Sequence, residues 1–91
     1  MLKEDLLKII IEIDSNENYF GIIPIYPVYN KAKDILQLSL DQFHELLIQL
    51  EKDQIIYLEV INDINRLSIE EKNTSLKDQF RGYLYYIGLW K

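Results

Sequence analysis

The side chains best suited to acid–base chemistry in this 91-residue chain surround its single histidine. His44 follows Asp41 by three positions and directly precedes Glu45, so a histidine–carboxylate pair could form there and exchange protons. No nucleophile in a recognisable motif accompanies them, and all three residues belong to one short segment predicted as helix. The pattern therefore favours a surface histidine over a catalytic one, and we expect no enzymatic activity.

Residues for metal and redox chemistry are scarce in the sequence. The chain has no cysteine, which excludes a disulfide scaffold, a cysteine-ligated zinc site and a thiol nucleophile, and one histidine excludes a multi-histidine metal site. Asp63 and Asn65 are similar to the start of a calcium loop, but Arg66 and Leu67 follow where ligands and a glycine are needed. Glycine-rich phosphate and dinucleotide motifs are also absent from the sequence. We expect no cofactor, no metal and no small-molecule substrate.

Composition and charge limit which classes of protein the chain can belong to. Hydrophobic residues make up 48% and charged residues 27% of the chain, which is typical of one globular domain over residues 1–91. The net charge of -5 argues against a freestanding basic clamp for nucleic acid. The first residues carry charges throughout, and no apolar run approaches the roughly 20 residues of a membrane span. We expect a cytoplasmic protein without membrane contact.

The clearest local pattern predicts a helix over residues 40–53. Ser39 and Gln42 have the spacing of a capping box, and Leu38 and Phe43 occupy the two positions of a hydrophobic staple around that cap. Behind the cap, the apolar residues recur at the helical spacing i, i+3, i+4 and i+7: Phe43, Leu46, Leu47 and Leu50. Three independent cues thus agree on this helix.

Two more helices and three strands follow from periodicity. A helix over 2–14 would bury one face, composed of Leu2, Leu6, Ile9, Ile10 and Ile13. A helix over 27–36 would begin at Pro27 and bury Val28, Ala32, Ile35 and Leu36. Strands are predicted over 19–25, 55–61 and 82–90, the last rich in aromatic residues. Its tyrosines could form a base-stacking platform, but cross-strand packing is the favoured interpretation because few cations flank them.

Residues 62–81 form a long polar connection between the last two predicted strands. Ser68 and Glu71 have capping-box spacing, so we expect a short helical turn within it. The elements together predict an α+β domain with three helices and a small antiparallel sheet.

The order helix, strand, helix, turn, helix, strand, long loop, strand resembles a winged helix-turn-helix domain over nearly the whole chain. In that resemblance, residues 28–53 would be the helix-turn-helix, and strands 55–61 and 82–90 would flank the wing. The resemblance implies DNA binding by helix 40–53 and the wing. Two features depart from it: the wing loop is unusually long, and the helix that should face DNA is acidic.

The exposed face of helix 40–53 has two interpretations. It could face a DNA groove, or it could be a solvated polar face. Segment 39–53 contains four carboxylates and one lysine, which disfavours contact with phosphates. If DNA is bound, the candidate DNA-facing residues are Gln42, Glu45, Gln49, Lys52 and Arg66.

The first helix indicates a protein interface. Leu7 and Ile11 lie far from its predicted buried face, at spacing i and i+4, and Ile48 is a further apolar residue on the outer face of helix 40–53. The alternative is that these are tolerated exposed residues. We therefore favour a protein-interaction or accessory domain that self-associates through its first helix or binds another protein. The competing hypothesis is a DNA-binding transcriptional regulator, with weak binding to duplex DNA.

Overall fold

The computed structural model describes residues 2–90, which form four α-helices, one 3-10 turn and a four-stranded antiparallel sheet. The helices are α1 Leu2–Glu17, α2 Ile25–Leu36, α3 Leu40–Lys52 and α4 Ile69–Thr74. The strands are β1 Ile22–Pro24, β2 Ile56–Val60, β3 Leu76–Asp78 and β4 Gly82–Leu89, and the 3-10 turn spans Ile64–Arg66. The predicted α+β class with a small antiparallel sheet is confirmed.

The longest strand, β4, organises the sheet. Strand β2 pairs along one edge of β4, and β1 and β3 share the other edge, since Leu84 pairs with both Val60 of β2 and Leu76 of β3. The pairing of β2 with β4 shifts register between Glu59 and Val60, which gives β4 one extra residue there.

One face of the sheet and one stripe of each large helix build a single hydrophobic core. The row Ile23, Ile87 and Leu58 runs across β1, β4 and β2 and is buried. Helix α1 contributes Leu6, Ile9, Ile10 and Ile13 to this core, α2 contributes Ile25, Val28 and Ala32, and α3 contributes Phe43, Leu47 and Leu50. Burial of these side chains is the main force that holds the layers together, at about 1.5–3 kcal/mol for each large one.

Helix α3 begins as its sequence predicts. The Ser39 hydroxyl accepts a hydrogen bond from the Gln42 backbone N–H (3.2 Å), and the Gln42 side chain accepts one from the Ser39 backbone N–H (2.9 Å). Leu38 and Phe43, the staple positions, are both buried. The cap satisfies two backbone donors that would otherwise lack partners at the helix start.

The start of α2 and the extent of β1 differ from the prediction. The helix begins at Ile25, and Pro24, with φ -62° and ψ 143°, is its N-cap. Pro27 therefore lies in the first turn, where a missing N–H removes no intrahelical bond. The strand predicted over 19–25 shrinks to three residues because Asn18 and Phe20 adopt positive φ in the turn after α1.

Two side chains expected in the core lie at the surface. Leu2, in the first turn of α1, and Ile35, near the end of α2, are both exposed. Leu36, the residue after Ile35, still packs against the core, so Ile35 lies beside the buried stripe of α2 and not on it.

The connection between β2 and β4 is folded, not an open loop. The predicted capping box is present, since Ser68 and Glu71 exchange hydrogen bonds at the start of α4. Helix α4 packs against α2, and β3 pairs with β4. No helix within residues 2–90 has the length and apolar character needed to cross a membrane.

Candidate interaction surfaces

The exposed face of α3 carries an acidic and amide-rich surface. Its solvent-exposed residues are Asp41, Gln42, Glu45, Ile48, Gln49 and Lys52. This matches the sequence prediction, because the buried stripe of Phe43, Leu47 and Leu50 fixes which side faces water. Asp41 and Glu45 are both exposed and form no ion pair with any residue of 2–90.

A groove lies between the start of α1 and α3. The α1–α3 groove has a volume of about 210 Å³ and is lined by Leu2, Leu38, Gln42, Glu45, Leu46 and Gln49. Its leucines form an apolar lining, and the two glutamines and the glutamate supply the polar groups. Three of the five candidate DNA-facing residues therefore line one concave site.

The other two candidate DNA-facing residues lie apart from that groove. Lys52 is exposed at the last turn of α3. Arg66 lines a second groove of about 350 Å³ together with Val60, Ile61, Asn62, Asp63, Leu67 and Tyr86. The two grooves share no residue, so Arg66 does not line the same site as Gln42, Glu45 and Gln49.

The predicted interface residues on α1 divide between core and surface. Ile11 is 47% exposed, and Ile48 on α3 is 38% exposed. The expectation that Leu7 lies outside the core is wrong, because its side chain is half-buried and packs against the core. One turn earlier, the Lys3 ammonium donates to Asp53 at the end of α3 (2.8 Å), which shows that this side of α1 meets α3.

An aromatic patch covers one end of the outer sheet face. Ile22, Gly88 and Tyr57 occupy one row across β1, β4 and β2, opposite to the core. A Cβ atom at Gly88 would lie 2.0 Å from the Tyr57 ring, so only glycine lets that ring lie across the strand. Trp90, 63% exposed, packs on Tyr57 with ring centroids 4.8 Å apart. Ile22, Tyr57 and Trp90 form this patch.

The tyrosines of β4 do not share a face. Tyr85 is buried, and its hydroxyl donates to Glu71 of α4 (3.0 Å). Tyr86 is half-buried and Tyr83 is partly exposed, with Lys77 above its ring. The favoured interpretation, packing and not a continuous stacking platform, agrees with this geometry.

Besides the packing of α4 on α2 and the pairing of β3 with β4, three polar side-chain contacts attach residues 61–81 to the rest of the domain. Besides the Tyr85–Glu71 bond, the His44 Nε2 atom lies 2.8 Å from the Thr74 carbonyl oxygen at the end of α4. Because a carbonyl only accepts, that ring nitrogen must carry the proton. His44 is half-buried, less exposed than a free surface histidine, and it pairs with neither Asp41 nor Glu45; the ring instead holds α4 on α3.

The third contact places an ion pair at the β3–β4 turn. The Arg81 guanidinium donates to Glu51, and Asp78 accepts from the backbone N–H groups of Phe80 (2.8 Å) and Arg81 (2.9 Å). The Arg81 hydrogen bonds hold the pKa of the Glu51 carboxyl below its ordinary value, and Glu51 in turn raises the pKa of Arg81. The two turn N–H groups lower the pKa of Asp78. Phe80, 91% exposed, projects from this tied turn.

Tyr57, Trp90 and Phe80 were not singled out in the sequence. A glycine within an aromatic strand marks a place where another group approaches closely, and Gly88 is the residue that could have indicated Tyr57. No sequence pattern around Phe80 indicates that it is exposed, because the composition of a turn does not show which of its side chains projects into solvent.

Residues 2–90 contain no cluster of three or more histidine, aspartate or glutamate side chains that could hold a metal ion. Comparison of the chain with protein-family models, with curated proteins and with solved structures finds no match.

Proposed function

We propose that this chain is a non-enzymatic, winged-helix-like module that binds protein. The order α1, β1, α2, α3, β2, β4 and the antiparallel pairing of β2 with β4 support the winged-helix interpretation of the sequence. The segment between these two strands would be an enlarged wing. Its helix α4 packs against α2, so the wing folds back on the domain instead of extending into solvent.

The charge of the exposed α3 face carries the proposal. In a DNA-binding helix-turn-helix, the second helix enters the major groove between two phosphate backbones. Here that face presents Asp41 and Glu45, neither of which forms an ion pair with a residue in 2–90, and Lys52 is the only cation among its exposed residues. Phosphate contacts supply much of the affinity of DNA-binding proteins, so two carboxylates in the groove would oppose binding. Binding to a protein does not require contacts with phosphates, so the two carboxylates do not oppose it.

Self-association is one form that this function can take. Ile11 and Ile48 expose apolar surface on α1 and α3, and each gains about 1 kcal/mol if an interface buries the part that is still exposed. A symmetric dimer would bury each exposed residue twice.

DNA binding is the second candidate. Gln42 and Gln49 are exposed on the same side of α3, and glutamine can make two hydrogen bonds to adenine in the major groove. This hypothesis assigns recognition to α3 and positioning to the wing segment.

Two solution measurements separate the candidates. Fluorescence polarisation with labelled random-sequence duplex DNA at about 150 mM salt should show no submicromolar binding. Sub-micromolar binding there would overturn the preference for a protein partner, and Gln42→Ala and Gln49→Ala would then be the first variants to measure. Sedimentation equilibrium over a range of concentrations reports self-association in the same buffer, and a monomer throughout restricts the proposal to a heterologous partner.

A further inference from the structure

We infer that the α1–α3 groove is a docking site for a cationic amphipathic helix of a partner protein, which inserts one apolar side chain between Leu2 and Leu46. This inference rests on the proposed function and names the chemistry of the partner. It concerns the groove alone and not the aromatic patch on the sheet.

The size of the groove indicates a side chain and not a metabolite. Its volume is about 210 Å³, whereas small-molecule sites usually enclose roughly 300–1,000 Å³. Leucines at three positions line it, and Glu45 is the only charged residue among the described ones that does. A single leucine, isoleucine or phenylalanine from outside would bury these apolar walls.

The charge around the groove indicates the sign of the partner. Glu45 lines the groove and Asp41 lies one turn earlier on the same helix, and neither has an ion-pair partner within 2–90. The nearby cation of α1, Lys3, is already paired with Asp53. Lysine or arginine residues beside the inserted side chain would therefore meet these two carboxylates, which directs association and selects against acidic partners.

The polar groups indicate a helix as the form of the partner. Gln42, Glu45 and Gln49 lie along one stripe of α3, so the polar edge runs parallel to the helix axis. A helical segment laid along this edge places an apolar anchor in the groove and cations at neighbouring turns. A second copy of this chain is the less suitable occupant, because its net charge of -5 adds repulsion at an acidic surface.

The test begins with an unbiased peptide selection. A phage-displayed library of random peptides of roughly 14 residues is selected on the immobilised full chain. The expected products combine lysine or arginine with leucine, isoleucine or phenylalanine at i, i+3 or i+4 spacing. Enrichment of acidic peptides, of peptides without such a stripe, or of none overturns the inference.

Matched variants then locate the bound peptide. Binding of the best selected peptide, synthesised with a fluorophore, is measured by polarisation. Asp41→Lys/Glu45→Lys and Leu2→Gln should each weaken it about tenfold or more. The control Glu17→Lys/Glu59→Lys makes the same change in net charge at exposed positions outside the groove, and Ile35→Gln removes an exposed apolar residue on α2. Both controls should change affinity less than about twofold, and circular dichroism confirms that every variant is folded.

The outcomes separate this inference from the proposed function. Equal losses in groove variants and controls overturn the groove assignment. If peptide binding is lost in Trp90→Ala and retained in the groove variants, the docking site is the aromatic patch, so the inference fails and the proposed function stands. The groove inference and the proposed function both fail if three results occur together: no peptide is selected, the chain is monomeric, and duplex DNA binds with submicromolar affinity.

Discussion

The Arg81 guanidinium donates two hydrogen bonds to the Glu51 carboxylate, at 3.0 and 2.8 Å, across 30 positions of sequence. Glu51 also accepts a hydrogen bond from the Leu58 backbone N–H (2.8 Å). One carboxylate thus joins the last turn of α3, strand β2 and the β3–β4 turn. This arrangement also provides an acceptor for a strand N–H that β4 does not use, which protects part of the β2 edge.

Removal of Glu51 should lower the stability of the fold more than removal of its ion-pair partner Arg81. Arg81→Ala should cost about 1 kcal/mol, because the pair is partly exposed and screened by solvent. Glu51→Ala should cost about 2 kcal/mol, since the part-buried Leu58 N–H also loses its acceptor. Urea unfolding of both single variants and the double variant measures the coupling, and additive losses would contradict a direct interaction.

Acid should weaken the same contact. The folded-state pKa of Glu51 is lowered from 4.5, so its stabilising contribution is present above that pH and is lost as pH falls through the folded value. Glu51→Gln should therefore show a shallower loss of stability below about pH 4.5 than the unmodified chain. If both proteins lose stability equally as the pH falls, Glu51 contributes nothing to the acid sensitivity.

The loss of stability at alkaline pH should depend on Tyr85. Burial and the hydrogen bond to Glu71 raise the pKa of Tyr85, so the folded state retains a phenol proton that the unfolded state releases near pH 10.0. This contribution is complete below that pH and declines as pH rises through the folded value. Tyr85→Phe should cost about 1–2 kcal/mol at neutral pH and should flatten the decline above pH 10.0. Thermal denaturation in buffers on either side of that pH tests it, with Tyr83→Phe as an exposed control.

Loss of the α3 cap should be measurable in the whole domain. Ser39→Ala should lower the free energy of unfolding by about 1 kcal/mol, because the Gln42 N–H loses its acceptor at the helix start. Ser15→Ala, an exposed position near the end of α1 without a capping role, is the matched control and should leave stability nearly unchanged. Equal effects would mean that the capping box does not stabilise this fold.

The two apolar residues on the outer side of α1 should respond differently to charge. Ile11→Glu should remain folded and, if α1 mediates self-association, should be monomeric in sedimentation equilibrium. Leu7→Glu should lose about 1–3 kcal/mol, because its side chain packs against the core. A stable Leu7→Glu variant would mean that this packing contributes little.

Gly88→Ala should disturb the aromatic patch without removing any side chain. The new methyl group would lie within 2.0–2.4 Å of the Tyr57 ring, so the ring must leave its place across β4 and its contact with Trp90. Trp90 is the only tryptophan, so its fluorescence emission should shift toward that of an exposed indole. Tyr57→Ala alone removes the ring from Trp90 without a clash, so it provides the reference emission for loss of this contact. An unchanged spectrum in Gly88→Ala would contradict the observed packing.

The sequence determined the elements whose information is local. Helix α3 is specified within residues 38–50 by a cap, a staple and an apolar stripe, and these signals agree with one another. The Ser68–Glu71 cap likewise specified α4. Apolar periodicity determined four of the five residues predicted on the buried face of α1, all except Leu2, and the acidic exposed face of α3. Each of these features depends on neighbours one or two helical turns away, which the sequence contains directly.

The tertiary structure alone decided the features that depend on distant partners. Strand β3 has three residues, and only hydrogen bonds to β4 make it a strand. Leu7 is half-buried because it packs against the core, and His44 has a hydrogen-bond partner because α4 returns to α3 thirty residues later. Arg66 and Gln42 look like members of one polar set in the sequence and lie in separate grooves. Helical periodicity states which side of an element is apolar, but the width of the buried stripe is set by how many neighbours pack on it.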